Sequence, residues 1–184
     1  AVLLLSGGCQ TIGYYAQAVG GQVGIWRETR PIGEILQDPA VDSDLQARLR
    51  SALAIRDFAS RELALPDNDS YRGYADLQRP FVVWNVFATE EFSTGPTQWC
   101  FPIAGCVAYR GYFSERQAHS FAEQLRGKKM DVFVAGVPAY STIGWFDDPL
   151  LNTFIRYPQT EVARLMFHEL SHQVGKDDLI ADDR

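Results

Sequence analysis

Residues 167–172 read Phe-His-Glu-Leu-Ser-His, and this short stretch constrains the fold more than any other part of the chain. It contains two of the only three histidines in the 184 residues. In a helix, His168 and His172 would lie one turn apart on the same face. The apolar residues just before them recur at the intervals of three and four that a helix requires: Val162, Leu165 and Met166. The chain is therefore expected to form a helix here, with both imidazoles on one side.

Two imidazoles on one helix face can bind the same Zn²⁺ ion through their ring nitrogens, and we predict His168 and His172 as zinc ligands. Glu169 follows the first ligand, so its carboxylate would stand beside the ion rather than on it. There it can take a proton from an attacking water as general base and pass it to a leaving amine as general acid. The alternative is a surface helix with two incidental histidines and an ion-paired glutamate. The third histidine, His119, is expected to be an ordinary exposed residue.

A catalytic zinc needs a third protein ligand. In one known pattern a glycine three residues after the second histidine turns the chain, and a histidine three residues further on binds the metal. Gly175 occupies the glycine position, but Asp178 stands where that histidine would be. Asp178 is therefore the best candidate within the sequence. The other common arrangement uses a glutamate on a following helix, and no glutamate follows Glu169.

The N-terminal residues 1–9 are typical of processing rather than of a folded element. A short apolar run is followed by Ser6, two glycines and Cys9, as at the end of a signal peptide that is cut before a lipid-modified cysteine. We predict Cys9 as the lipidation site and residues 1–9 as a signal-peptide remnant with a lipobox. A buried strand at Val2–Leu5 with a turn at the glycines is the alternative.

The other two cysteines, Cys100 and Cys106, are separated by five residues that include a proline and a glycine. Such a segment can fold back and bring the two sulfurs together, and in an oxidising compartment a disulfide is then expected. Two buried free thiols are the alternative for a cytosolic protein. A metal site is less favoured because the spacing is wider than that of usual zinc ligand pairs.

Charge and hydropathy argue against two classes of function. Lys and Arg number 17 and Asp and Glu 23, a net charge of −6, and no basic run is longer than residues 126–129. Nucleic acid is therefore not an expected partner. No apolar run reaches the roughly 18 residues of a transmembrane helix, so contact with a membrane would depend on the lipid at Cys9.

Periodicity along the chain predicts an α+β fold, with helices towards both ends and a small sheet between them. Helices are expected at residues 11–23, 45–63 and 115–125, the second capped by Ser43 or Asp44 and the third opened by Ser114. Strands are expected at residues 81–88, 106–113 and 131–137. Residues 138–146 are expected to form a further extended segment near a sheet edge, and residues 66–70 a turn.

Four segments together resemble one family, the putative bacterial zinc aminopeptidases, which are lipoprotein-like proteins of the gluzincin type. The segments are residues 11–18, 99–113, 139–150 and 167–173. The resemblance implies a zincin-like fold with a small mixed sheet, an edge strand beside the active-site helix and extra N-terminal helices. It also implies a third zinc ligand, a glutamate, beyond residue 184, so that residues 10–184 would form a single metallopeptidase domain incomplete at its C-terminus.

We therefore expect zinc-dependent peptide-bond hydrolysis, in the form of an aminopeptidase anchored by lipid on the periplasmic side of a bacterial cell envelope. The extended segment would offer an edge for the peptide backbone, with Tyr140, Ser141 and Thr142 as substrate-binding residues. The alternative function is a lipid-anchored envelope binding protein whose zinc site is structural or degenerate.

Overall fold

The structure is a computed structural model that describes residues 6–101, 105–142 and 145–181, with side chains described from residue 12 to residue 174 within those ranges. The described helices are α1 Ser6–Glu28, α2 Ile32–Ile35, α3 Ser43–Leu63, α4 Glu115–Arg126, α5 Asn152–Ile155 and α6 Gln159–Ala181. The described strands are β1 Arg30–Pro31, β2 Gly73–Ala75, β3 Val83–Glu90, β4 Trp99–Phe101, β5 Gly105–Val107, β6 Arg110–Tyr112, β7 Met130–Val137 and β8 Leu150–Leu151. These helices and small sheets confirm the predicted α+β class.

One compact unit takes residues 1–24 and 81–138. Its centre is an antiparallel sheet in the order β6-β3-β7, in which Trp84 of β3 pairs with Tyr112 on one side and Gly136 on the other. Trp84, Val86 and Ala88 of β3 point into the core, the alternation that a half-buried strand requires. Helix α4 covers this face with residues at helical spacing: Ala118, Ala122 and Leu125.

The hairpin of β4 and β5 also belongs to this unit. Cys100 lies directly opposite Cys106 in its antiparallel register, with their Cα atoms 3.9 Å apart. The structure joins the two residues in a disulfide, the pairing that the sequence favours.

The other compact unit takes residues 25–80 and 139–184. Its sheet has the order β1-β2-β8, with β1 antiparallel and β8 parallel to the central strand β2. Helices α3 and α6 pack against each other, and the ring centroids of Phe58 in α3 and Phe167 in α6 are 6.2 Å apart. Helix α6 buries three side chains at intervals of four residues: Val162, Met166 and Leu170. This buried stripe determines which face of the helix stays exposed.

Four local expectations are wrong. The single strand expected at residues 106–113 is interrupted after Val107, so that β5 and β6 belong to different sheets. Asp42, rather than Ser43 or Asp44, caps α3, since its carboxylate accepts the N–H of Leu45 at 3.0 Å. Helix α1 continues through Gly20 and Gly21 to Glu28, although glycine weakens helices. A Cβ at Gly21 would overlap the ring of Phe113, so close packing explains a glycine at this position.

The fourth error concerns residues 138–146, where an extended segment near a sheet edge was expected. Residues 138–142 and 145–146 form no strand, and residues 143 and 144 lie outside the described residues. The zincin-like arrangement of a sheet edge beside the active-site helix therefore stays a prediction. The boundary at residue 9 and the single domain from residue 10 to 184 also stay predictions. Among the described residues, no helix is both long and apolar enough to cross a membrane.

Candidate active site

The predicted histidine pair lies on the outer face of α6. Both side chains are exposed, and their Nε2 atoms are 3.2 Å apart. The two rings are nearly perpendicular, with centroids 4.7 Å apart. The helix and the interior packing of Met166 and Leu170 thus bring His168 and His172 together as their spacing predicts.

The geometry of the pair allows a test of whether zinc would fit. Two nitrogens that each lie 2.0–2.1 Å from a tetrahedral zinc ion are about 3.3 Å from each other. The observed separation of 3.2 Å is close to that value, so the pair fits two positions of such a site. Among the described side chains, no group of three or more His, Cys, Asp or Glu residues could hold a metal ion. Asp178 lies outside the described side chains.

Glu169 stands at the border between the exposed and the buried faces of α6. It is half-buried, whereas His168 beside it is exposed and Leu170 after it is buried. Burial above all raises the pKa of two groups of the same unit, Tyr71 and Asp148, and the charge of Glu169 adds to both increases. Glu169 therefore follows His168 in the helix and lies on the side of α6 that is near the buried Tyr71 and Asp148.

Tyr71 is one member of this cluster. Its side chain is only 3% exposed, and its backbone adopts the left-handed region with φ 64°. Its backbone N–H donates to the carbonyl of Asp148 at 2.6 Å. This hydrogen bond joins the end of the loop at residues 66–71 to the segment before β8. Burial above all, and then the charges of Asp148 and Glu169, raise the pKa of Tyr71 well above its usual value, so its phenol stays protonated.

Asp148 is the acceptor at the centre of the segment from residue 141 to 148. Its carboxylate accepts the hydroxyl of Ser141 at 3.1 Å and the backbone N–H of Thr142 at 3.0 Å. Its own N–H donates to the hydroxyl of Ser70 at 3.4 Å. Burial raises the pKa of Asp148, the bonds from Thr142 and Ser141 lower it, and Glu169 adds to the increase. The sequence predicts no role for Asp148.

The predicted substrate-binding residues lie in this same region. Ser141 and Thr142 are half-buried and bound by Asp148, and Tyr140 is half-buried with its phenol near Arg79. The segment is a loop closed on itself rather than a strand, since Thr142 also exchanges hydrogen bonds with the backbone of Phe146. Substrate binding by these three residues stays a prediction.

The remaining predicted residues lie apart from α6 in the chain. Cys9 is in α1, and its side chain is outside those described, so lipidation stays a prediction. His119 is exposed in α4, with its Nε2 atom 4.0 Å from a carboxylate oxygen of Glu115, as expected of an ordinary surface histidine. Cys100 and Cys106 form the disulfide of the β4–β5 hairpin.

Sequence reasoning missed a buried network behind the site. Arg56 of α3 is 0% exposed and donates to carbonyls of the 66–71 loop, and Asn68 of that loop donates to Gln173 of α6 at 2.7 Å. The only local signal was the turn predicted at residues 66–70. A pattern in the sequence does not reveal a bond between residues 105 positions apart.

The fold and the site together define an α+β protein that carries a His-Glu-x-x-His sequence on an accessible helix face. A family model described as putative aminopeptidase matches residues 13–176, and the chain belongs to that family. Comparisons with curated proteins and with solved structures give no match. The matched range includes His168, Glu169 and His172, and it confirms the aminopeptidase resemblance at the level of the family. The zinc, gluzincin and lipoprotein assignments stay predictions.

Proposed function

We propose that this protein is a zinc-dependent peptidase that acts as an aminopeptidase on peptide substrates. The observation that carries the proposal is the pair of Nε2 atoms at 3.2 Å beside a half-buried glutamate, in a chain of the putative aminopeptidase family. The family supports the peptidase class, and the geometry of the pair supports the choice of zinc. The family match gives no support to the alternative, an envelope binding protein with a structural or degenerate zinc site.

His168 and His172 would hold the metal with their Nε2 atoms. Zinc at this position would supply a Lewis acid that polarises the scissile carbonyl and makes water more acidic. Glu169 accepts the proton that the attacking water loses as its oxygen forms a bond to the carbonyl carbon. The same carboxylate then returns that proton to the amide nitrogen as the C–N bond breaks, so the products are a carboxylic acid and a free amine.

The location of the protein is part of the proposal. We infer a lipid anchor on Cys9 that holds the chain on the periplasmic side of a bacterial envelope. The disulfide between Cys100 and Cys106 supports an oxidising compartment, because cytosolic proteins rarely keep such bonds. Mass spectrometry of the protein from membranes of a bacterial host tests the anchor, since Cys9→Ser should abolish both the lipid mass and the membrane association.

The enzymatic test uses the purified full chain with added zinc, a fluorogenic leucyl amide and a mixed peptide library. Glu169→Gln keeps the shape of the side chain and removes its basicity, so we expect kcat to fall about 10²–10⁴-fold with zinc binding retained. His172→Ala should lose zinc binding as well as turnover. The matched control is Glu161→Gln, an exposed position of the same helix whose carboxylate pairs with Arg164.

The same assay separates aminopeptidase from endopeptidase activity. An aminopeptidase requires the free amine of its substrate, so N-acetylation of the leucyl amide should abolish turnover. Equal turnover of the free and acetylated substrates would contradict the exopeptidase assignment. Unchanged hydrolysis by Glu169→Gln would contradict the mechanism itself.

A further inference from the structure

The 66–71 loop is bound to α6 at Gln173 and lies near Glu169, one helical turn earlier. Asn68 donates its side-chain N–H to the Oε1 atom of Gln173 at 2.7 Å. Gln173 lies four residues after Glu169, and residues at this spacing are neighbours on a helix surface. Tyr71 lies at the end of the same loop, and the charge of Glu169 adds to the increase that burial causes in its pKa. The loop therefore lies along the side of α6 that carries the proposed proton-transfer group.

The loop itself is held by a buried guanidinium. Arg56 is 0% exposed, and it donates to the carbonyls of Ser70 at 2.9 Å, Pro66 at 2.7 Å and Asn68 at 3.0 Å. The Oδ1 atom of Asn68 accepts from Arg56 at 3.3 Å and from the N–H of Ser70 at 3.1 Å. These bonds fix the plane of the Asn68 amide, so its remaining donor points in one direction, towards Gln173.

The receiving side chain is confined as well. Gln173 is only 4% exposed, and its Nε2 atom has no hydrogen-bond partner among the described atoms. A buried, unpartnered N–H group costs about 1–3 kcal/mol, so the orientation of this amide carries a penalty within the fold. A buried group left unpaired in this way calls for an explanation other than stability, and a role at a functional site is one.

We propose that Asn68 and Gln173 are positioning residues for Glu169: their hydrogen bond, held by Arg56, fixes the Glu169 side of α6 against the 66–71 loop. This inference rests on the proposed function, since it takes Glu169 as the proton-transfer group. A displacement of about 1 Å at such a group can lower a rate by about 10²-fold, so one well-held hydrogen bond is enough to matter.

The experiment compares Asn68→Ala and Gln173→Met with Asn68→Asp, using the zinc-loaded full chain and the fluorogenic leucyl amide. The first two variants remove the bond, and we expect kcat to fall about 10–100-fold with KM changed by less than about threefold. In Asn68→Asp the Gln173 side-chain amide can rotate by about 180°, so that its Nε2–H group donates a hydrogen bond to the new carboxylate. This variant should therefore keep kcat within about threefold of wild type.

Two controls separate positioning from general stability. Arg72→Gln breaks exposed ion pairs of the same region, with Asp57 at 3.2 Å and Asp67 at 3.1 Å, and should leave kcat unchanged. In a Glu169→Gln background, Asn68→Ala should cause no further loss, because two changes in one unit do not add. Hydrogen exchange of the zinc-free protein supplies a readout without turnover: amides of residues 169–173 should exchange faster in Asn68→Ala than in Arg72→Gln.

The outcomes distinguish this inference from the proposed function. Unchanged kcat in Asn68→Ala and Gln173→Met would overturn the positioning role while the peptidase function stands. An equal fall of kcat in the wild-type and Glu169→Gln backgrounds would also overturn it. A wild-type chain that hydrolyses neither the leucyl amide nor any library peptide would overturn the proposed function and this inference with it.

Discussion

The carboxylate of Asp148 accepts the backbone N–H of Thr142 at 3.0 Å, and this bond closes the loop beside the candidate site. Asp148 is 4% exposed, and its charge is held by hydroxyl and N–H donors of its own segment. Burial is the largest influence on this carboxyl group, so its pKa is raised despite those bonds, and the nearby Glu169 raises it further. Asp148 thus makes the stability of this region depend on pH.

Asp148→Asn should change that pH dependence in a defined direction. The folded protein binds a proton on Asp148 at a higher pH than the unfolded chain does, so the free energy of unfolding falls as pH rises through this window. The window runs from the ordinary aspartate pKa of about 3.9 up to the raised folded value. Asp148→Asn has no carboxyl group at this position, so its free energy of unfolding does not fall for this reason. The difference in free energy of unfolding, variant minus wild type, should therefore increase with pH across the window and then level off.

Urea unfolding of both proteins at pH values from about 3 to about 8, about one unit apart, measures this difference. Asp147→Asn removes the charge of an exposed neighbour and controls for the change in net charge. A stability difference between Asp148→Asn and wild type that is the same at every pH would contradict the prediction.

Arg56→Met should be one of the most destabilising substitutions in α3. It removes the guanidinium donor of the carbonyls of Asn68 and Ser70 and leaves that of Pro66 with the Ser60 hydroxyl at 3.4 Å, and each unsatisfied buried group costs about 1–3 kcal/mol. We expect the free energy of unfolding to fall by about 3 kcal/mol or more, measured by urea unfolding at pH 7. Arg48→Met, at a surface ion pair with Asp44 in the same helix, should cost less than about 1 kcal/mol. Similar losses for the two variants would contradict the role of Arg56.

The helices were predictable where local chemistry determines them. Ser114 accepts the N–H of Gln117 at 3.4 Å, and α4 begins at Glu115 as the sequence predicts. The histidine pair of α6 is equally local, since a spacing of four residues places both rings on one face.

The edge strand at residues 138–146 shows where local reasoning fails. Its apolar and β-branched residues favour a strand, but Pro138 has no N–H to donate, and the N–H groups of Thr142 and Phe146 are bound within the loop. The acceptor that decides the matter, Asp148, is itself fixed by Ser70, 78 residues earlier. The link from Arg56 to Ser70 spans 14 residues and that from Asn68 to Gln173 spans 105, so neither has a period that a sequence could display.

Removal of the disulfide should destabilise the protein modestly. The disulfide between Cys100 and Cys106 closes a loop with a sequence separation of only 6. For so short a loop, the entropy that the cross-link removes from the unfolded chain corresponds to a stabilisation of about 2 kcal/mol. The double variant Cys100→Ser/Cys106→Ser should therefore lower the free energy of unfolding by about that amount. Alkylation of the denatured wild-type protein, followed by mass measurement, should modify both cysteines only after reduction. Modification of Cys100 or Cys106 without reductant, located by mass measurement of their peptides, would contradict the disulfide.

Gly136 of β7 should tolerate no side chain. A Cβ at this position would overlap the ring of Phe81, which packs beside the core residue Trp84 with ring centroids 6.3 Å apart. Gly136→Ala forces the ring away from its place, and overpacking of this kind costs about 1–3 kcal/mol. Gly95→Ala is the control, because the nearest atom to its new Cβ is the Oγ of Ser93 at 3.6 Å, an ordinary contact.

Combining Gly136→Ala with Phe81→Leu tests whether the ring of Phe81 causes the loss of stability. The smaller side chain leaves room for the new methyl group, so the double variant should be more stable than the sum of the two single changes predicts. The coupling should exceed about 0.5 kcal/mol in urea unfolding, the range found for residues in contact. Strict additivity would show that the cost of Gly136→Ala arises from the strand backbone rather than from the ring of Phe81.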